Sequence, residues 1–144
     1  MPKYPPEYYD MEVPIRRFLT RTLIGIDQDE SVQKAARRMV EFGISSIVVL
    51  NESEDIVGIF TDSDIKKKVA ARGLKPDISV KNIMTTDLTT IDIEADVKKV
   101  TKIMTEKKIK HVLVEEEGEI VGILSFGDLI GMERRKLETY ISRE

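Results

Sequence analysis

The chain has no cysteine, and its 144 residues include a single histidine, His111. Without thiols there can be no disulfide framework, no thiolate zinc or iron–sulfur site and no cysteine nucleophile. One imidazole leaves no His-rich metal site and no second ring to assist a serine. Long apolar runs are also missing: the longest, residues 47–50, is strand-sized and far short of the ~18 residues a membrane span requires. The opening residues contain no apolar stretch of the kind a secretory signal uses, so a cytoplasmic location is expected. Neither charge sign dominates, with 23 basic against 26 acidic residues and a net charge of −3. That balance argues against nucleic acid as a main partner, because phosphate binding needs concentrated basic surface.

Proline is scarce beyond the start. Four of the five fall at Pro2, Pro5, Pro6 and Pro14, among Tyr4, Tyr8 and Tyr9. Proline fixes φ and removes backbone donors, so residues 1–12 read as an extended tail. Two readings stay open, a disordered tail and an arm whose tyrosines dock on the body or on a second subunit.

From about Val13 the chain repeats itself. A shift of 65 places Leu23 on Leu88, Ile26 on Ile91, Val32 on Val97, Met39 on Met104 and Val49 on Val114. The second copy then has one residue fewer in its hairpin, and at a shift of 64 Gly58 falls on Gly122 and Asp64 on Asp128. Two long copies do not make a solenoid, which stacks several short units. The reading is a tandem duplication: one domain over residues 13–75, a second over 76–136, and the end of a C-terminal helix at 137–144.

Each copy follows one plan. A short strand (23–26, 88–91) leads into a helix opened at Ser31 or Asp96. Val32, Ala35, Ala36, Met39 and Val40 recur with the spacing of one buried helix face, as do Val97, Val100, Thr101 and Met104. Two β-branched-rich strands follow (47–50 and 56–60; 112–114 and 120–124), and then a final helix. The fold class is therefore mixed α/β (α+β), β-α-β-β-α twice. Copies of about 60 residues bury little surface alone, so the two are expected to pack sheet to sheet about a pseudo-twofold axis. The same argument predicts that the helix faces of Val97, Val100 and Met104 are left partly uncovered and become buried in a homodimer.

The strongest chemical signal closes each strand pair: Gly58-Ile59-Phe60-Thr61-Asp62-Ser63-Asp64 and Gly122-Ile123-Leu124-Ser125-Phe126-Gly127-Asp128. A hydroxyl followed three residues later by an acid at a helix start is a capping box, and capping alone explains both quartets. The same atoms also suit a ligand, since a hydroxyl can donate to phosphate and a carboxylate offers acceptors to a ribose diol. On spacing alone, capping is the more economical reading. No glycine-rich phosphate loop and no nucleophile elbow occurs. Asp62 and Asp64 lack the further ligands a metal needs, so no metal site is expected. The basic runs Lys66-Lys67-Lys68, with Arg72 and Lys75, and Arg134-Arg135-Lys136 read as solvated helix faces, with a nucleic-acid or partner patch as the alternative.

Taken together, the duplicated plan, the paired quartets and the strands Gly43-Ile44-Ser45-Ser46-Ile47-Val48-Val49-Leu50 and Lys108-Ile109-Lys110-His111-Val112-Leu113-Val114 resemble a tandem pair of CBS domains over about residues 13 to 135. That resemblance implies two clefts between the copies, binding adenosine-containing ligands with the carboxylate on the ribose. One cleft would use Thr61, Asp64, Ser45, Ser46, Thr85, Thr90, Ile109 and Lys110. The other would use Ser125, Asp128, Lys110, His111, Thr20, Gly25, Ile44 and Ser45. Ser63 and Gly127 stand where the family often has arginine, which lowers the positive charge and favours AMP or ADP over ATP, with S-adenosylmethionine as another adenosine candidate. The resemblance implies a regulatory sensor module rather than an enzyme, with no required cofactor. It would form a homodimer whose state is read by a regulated protein in trans, away from the membrane. Of the two clefts, the one with Asp128 is favoured: Lys110 and His111 offer positive charge, whereas Asp62 adds a second acid beside Asp64. The alternatives are a nucleic-acid-binding protein and a ligand-free dimerisation scaffold.

Overall fold

The computed structural model describes residues 14–17, 19 and 23–129. The tail at 1–12, Thr20, the basic run at 134–136 and the end at 137–144 lie outside the described residues.

The chain divides into two units, residues 22–88 and residues 1–21 with 89–144. In the first, β1 (Gly25–Asp27), α1 (Val32–Phe42), β2 (Ser46–Leu50) and β3 (Ile56–Thr61) are followed by a single turn, α2 (Asp62–Asp64), and a wider π-type turn, Ile65–Ala70. In the second, β4 (Thr90–Asp92), α3 (Val97–Lys107), β5 (His111–Glu116) and β6 (Glu119–Ser125) repeat the order, and residues 126–129 begin a helix. Each unit holds a three-stranded sheet, ordered β1-β2-β3 or β4-β5-β6, with the first pair parallel and the second antiparallel. The parallel pair follows from the intervening helix, because parallel strands need a long crossover.

Local chemistry sets the boundaries. The Ser31 and Asp96 side chains accept from Lys34 N and Lys99 N, capping α1 and α3. Gly43 and Lys108 end them in the left-handed conformation. The hairpin of the second unit turns through Glu117 and Gly118, both at positive φ, the geometry that suits a two-residue turn. The longer first hairpin is held by Asn51, whose Oδ1 accepts from Ser53 N at 2.9 Å and Asp55 N at 3.0 Å. This is the one-residue difference that changes the repeat shift from 65 to 64.

Each unit has its own apolar core. Val32, Ala35, Met39, Ile47, Val49 and Phe60 are buried together in the first, and Val97, Val100, Met104, Val112, Val114 and Leu124 in the second. This corrects the expectation that Val97, Val100 and Met104 are partly uncovered: the sheet of their own unit covers them. Val40, expected on the buried face of α1, is instead 82% exposed. It lies about 80° round the helix from Val32, on the margin of the apolar stripe. Its counterpart is Thr105, whose hydroxyl donates to Thr101 O at 2.9 Å.

The segment ahead of each repeat packs on the other repeat's unit. Val80 and Ile83, on the 3-10 turn Val80–Asn82 and just after it, are buried in the core of the 22–88 unit. Thr85 exchanges two backbone hydrogen bonds with Ile59, at 2.8 and 3.0 Å. Lys81 Nζ pairs with Asp29 Oδ1 at 2.7 Å, which holds the ammonium above the ordinary lysine pKa through that hydrogen bond and the attraction to the carboxylate. In the other unit Ile15 is fully buried. Arg16 pairs with Glu94 and, at 2.7 Å, with Glu116, and these hydrogen bonds raise the guanidinium pKa. Gly58 and Gly122 make room for these segments. A Cβ on Gly58 would stand 2.6 Å from Met84 Sδ and 3.0 Å from Thr85 O, and one on Gly122 2.9 Å from Leu19 Cδ1.

Candidate functional site

Both quartets sit where the last strand of a sheet passes into a helix, and both form the reciprocal capping geometry. Thr61 N donates to Asp64 Oδ2 at 3.0 Å, and Asp64 N donates to Thr61 Oγ1 at 3.2 Å. Ser125 N donates to Asp128 Oδ2 at 3.0 Å, and Asp128 N donates to Ser125 Oγ at 3.0 Å. The strand orientation follows from the register, which places Ser46 opposite Thr61 and His111 opposite Ser125. A further backbone bond ties each strand end to the segment entering the central strand: Asp62 N to Ser45 O at 3.0 Å, and Phe126 N to Lys110 O at 2.8 Å. Ser45 and Ser46 are thus held beside Thr61, and Lys110 and His111 beside Ser125.

The surroundings of the two carboxylates differ. Asp64 is 5% exposed. Its Oδ1 lies 2.9 Å from Lys68 Nζ and accepts from Thr85 Oγ1 at 3.1 Å. Lys68 Nζ also donates to Ile83 O at 3.1 Å, so the side chain joins the quartet to the segment that crosses β3. Asp128 is exposed, and among the described residues its carboxylate hydrogen bond is the capping one.

Of the residues assigned to the Asp64 set, Ser45, Ser46, Thr61, Asp64 and Thr85 are gathered within the 22–88 unit, whereas Thr90, Ile109 and Lys110 belong to the other unit. Of the Asp128 set, Lys110, His111, Ser125 and Asp128 share one unit, while Gly25, Ile44 and Ser45 belong to the 22–88 unit. No single unit holds either full set. Gly25 is shaped by packing, since a Cβ there would meet Leu50 Cδ1 at 3.2 Å and Val48 Cγ2 at 3.3 Å. Its carbonyl accepts from Arg38 Nη1 at 2.6 Å.

Lys68 is the residue that sequence reasoning missed. Lys66 and Lys67 are exposed, as a solvated face requires, but Lys68 turns inward. The signal was the acid-to-lysine spacing of four from Asp64, which places the two side chains on one helical face. No cluster of three or more metal-ligating side chains occurs among the described residues, and none of the described helices is long and apolar enough to cross a membrane.

Comparison with known proteins places these features in a family. The CBS domain family matches residues 15–71 and 80–134. The crystal structure of an uncharacterized conserved protein from Pyrococcus horikoshii is 44% identical, with a TM-score of 0.80, covering 87% of this chain and 95% of that one. An uncharacterized protein of Methanopyrus kandleri is 30% identical over 115 residues, 78% of this chain, and the chain spans 59% of that relative's length. The CBS domain pair of protein MJ0100, solved in complex with 5′-methylthioadenosine and S-adenosyl-L-methionine, is 24% identical, with a TM-score of 0.74 and coverage of 86% of this chain and 98% of that one. At that identity the likeness concerns the fold.

Proposed function

The chain belongs to the CBS-domain family, as two CBS domains in tandem, and from that premise we propose that it is a regulatory module whose quartets bind an adenosine-containing ligand. The observation that carries the reading is the exposed Asp128 carboxylate, fixed by Ser125 at a strand end beside Lys110 and His111. A carboxylate with acceptor capacity left suits the two hydroxyls of a ribose. The ammonium of Lys110, with an imidazole able to gain charge in the same unit, suits a phosphate. The co-crystallised ligands of MJ0100 are adenosine compounds, which supports the ligand class. Ser63 and Gly127 bring no cation to the quartets, which favours AMP or ADP over ATP.

The module acts in the cytoplasm without catalysis. It forms a homodimer, and a regulated partner protein reads its ligand-dependent state. Exposed Val40 and Phe42 at the end of α1 offer apolar surface to such an assembly.

A thermal-shift and calorimetric screen of AMP, ADP, ATP, S-adenosylmethionine, NAD and short oligonucleotides tests the reading. A ligand at a hundredfold excess over Kd stabilises the native state by about 2.7 kcal/mol. AMP or ADP should raise the melting temperature with little dependence on salt. Silence from every adenosine compound at millimolar concentration would overturn the proposal. Binding of oligonucleotides that weakens steeply with salt would replace it.

A further inference from the structure

The two quartets are alike in backbone geometry and differ in what already holds the carboxylate. In the first, Asp64 receives Thr61 N, the Thr85 hydroxyl and the Lys68 ammonium while almost wholly buried. In the second, Asp128 is exposed, and the position corresponding to Lys68, at the shift of 64, is Met132, which cannot donate. Resting on the adenosine reading above, we infer that Lys68 is a built-in occupant of the first quartet, so that the chain takes one ligand, at Asp128, and admits a second only when Lys68 is displaced.

The physical reason is competition for one acceptor. A ribose hydroxyl approaching Asp64 offers a neutral donor where an ammonium already sits at 2.9 Å. The carboxylate makes either hydrogen bond charge-assisted, but only the ammonium adds the attraction of an opposite full charge. The displaced ammonium would also leave Ile83 O and Thr85 Oγ1, at 3.1 and 3.5 Å. Entry at Asp64 is thereby coupled to release of the segment that joins the two repeats. Any change that removes the Lys68 charge, such as acetylation, opens the first site by the same route.

Two measurements on the full chain test this. In calorimetric titrations with AMP and with S-adenosylmethionine, the wild type should bind one ligand per chain, and Asp128→Ala should weaken that binding at least a hundredfold. Lys68→Met, which copies the second repeat, and Lys68→Gln should each bind two per chain. Lys68→Met combined with Asp128→Ala should bind one. Independently of any ligand, acetic anhydride should label Lys68 more slowly than Lys66 and Lys67, read by peptide mass spectrometry. Two ligands per wild-type chain, an unchanged count in both folded Lys68 variants, or labelling of Lys68 as fast as its neighbours overturns the inference. A protected Lys68 with no heat from any variant refutes the adenosine reading and leaves the Lys68 contact intact.

Discussion

Replacing Asp64 by alanine should destabilise the protein far more than the same change at Asp128, although the two residues hold equivalent places in equivalent motifs. At Asp128 the change removes one carboxylate cap from an exposed helix start, a loss of about 1 kcal/mol. At Asp64 the same lost cap leaves the Thr61 N–H unpaired in a buried place, which raises its cost to about 1–3 kcal/mol, and the Thr85 hydroxyl loses an acceptor too. Lys68 loses its counter-ion as well. Breaking a fully buried ion pair costs about 3–5 kcal/mol, but the Lys68 side chain is 34% exposed and can turn to water, so its share lies well below that. The contributions overlap, and about 3 kcal/mol in total is expected for Asp64→Ala. With an m-value of about 2 kcal/mol per molar urea, the midpoint should fall by about 1.5 M for Asp64→Ala and about 0.5 M for Asp128→Ala. Equilibrium urea unfolding followed by far-UV circular dichroism measures both, provided that m stays constant across the variants. Asp64→Asn, which keeps an acceptor for Thr61 N but loses the charge facing Lys68, should fall between. Equal midpoint shifts for the two alanine variants would refute the claim that Lys68 and Thr85 make the first quartet different.

The glycines beneath the crossing segments should respond unequally to a methyl group. Gly58→Ala drives a Cβ toward the Thr85 carbonyl as well as Met84 and should cost about 1–3 kcal/mol by overpacking. For Gly122→Ala the nearest atoms belong to the Leu19 side chain rather than to backbone, so it should cost less, and urea midpoints compare the two. The Lys81–Asp29 pair should stabilise the fold below the ordinary lysine pKa and cease to do so at high pH. A folded-state pKa above the unfolded one gives a contribution fully present below the ordinary lysine pKa and lost as pH rises through the folded value. NMR titration should therefore show the Lys81 pKa falling in Asp29→Asn, and no change would remove the pair from the account. In assembly, light scattering at micromolar concentration should report twice the 16.4 kDa chain mass; a monomer would contradict the dimer.

Much of the fold was legible because the signals were local and occurred twice. The apolar spacing of Val32, Ala35 and Met39 located α1, and Val97, Val100 and Met104 located α3. The β-branched runs located the paired strands to within a residue or two. The destination of the leading segments was harder to read. Val80, Ile83 and Thr85 pack against a unit whose other elements precede them in the chain, and Ile15 against one whose elements lie some 75 residues on. No short-range pattern encodes such a contact. The clue was indirect: a glycine at position 58 and again at 122, inside otherwise β-branched strands, signals close approach by another segment. Val40 misled for the opposite reason, since an apolar residue on the edge of a stripe satisfies the periodicity without being buried.

The candidate site was legible as a motif but not as an environment. Hydroxyl-to-acid spacing fixes the reciprocal cap, and both quartets form it with bond lengths between 3.0 and 3.2 Å. A cap consumes only part of a carboxylate's acceptor capacity, because an ionised Asp has about four lone-pair directions. What each carboxylate can do next is therefore decided outside the quartet, by the residue one helical turn on and by the segment that crosses the strand. For Asp64 these are Lys68 and Thr85, and both point at the acid. At the corresponding sequence positions for Asp128 stand Met132, with nothing to donate, and Thr20, both outside the described residues. On the inference drawn above, a duplicated domain keeps one quartet as structure and leaves the other for a ligand without altering either motif, through a difference at a single sequence position four residues beyond the acid.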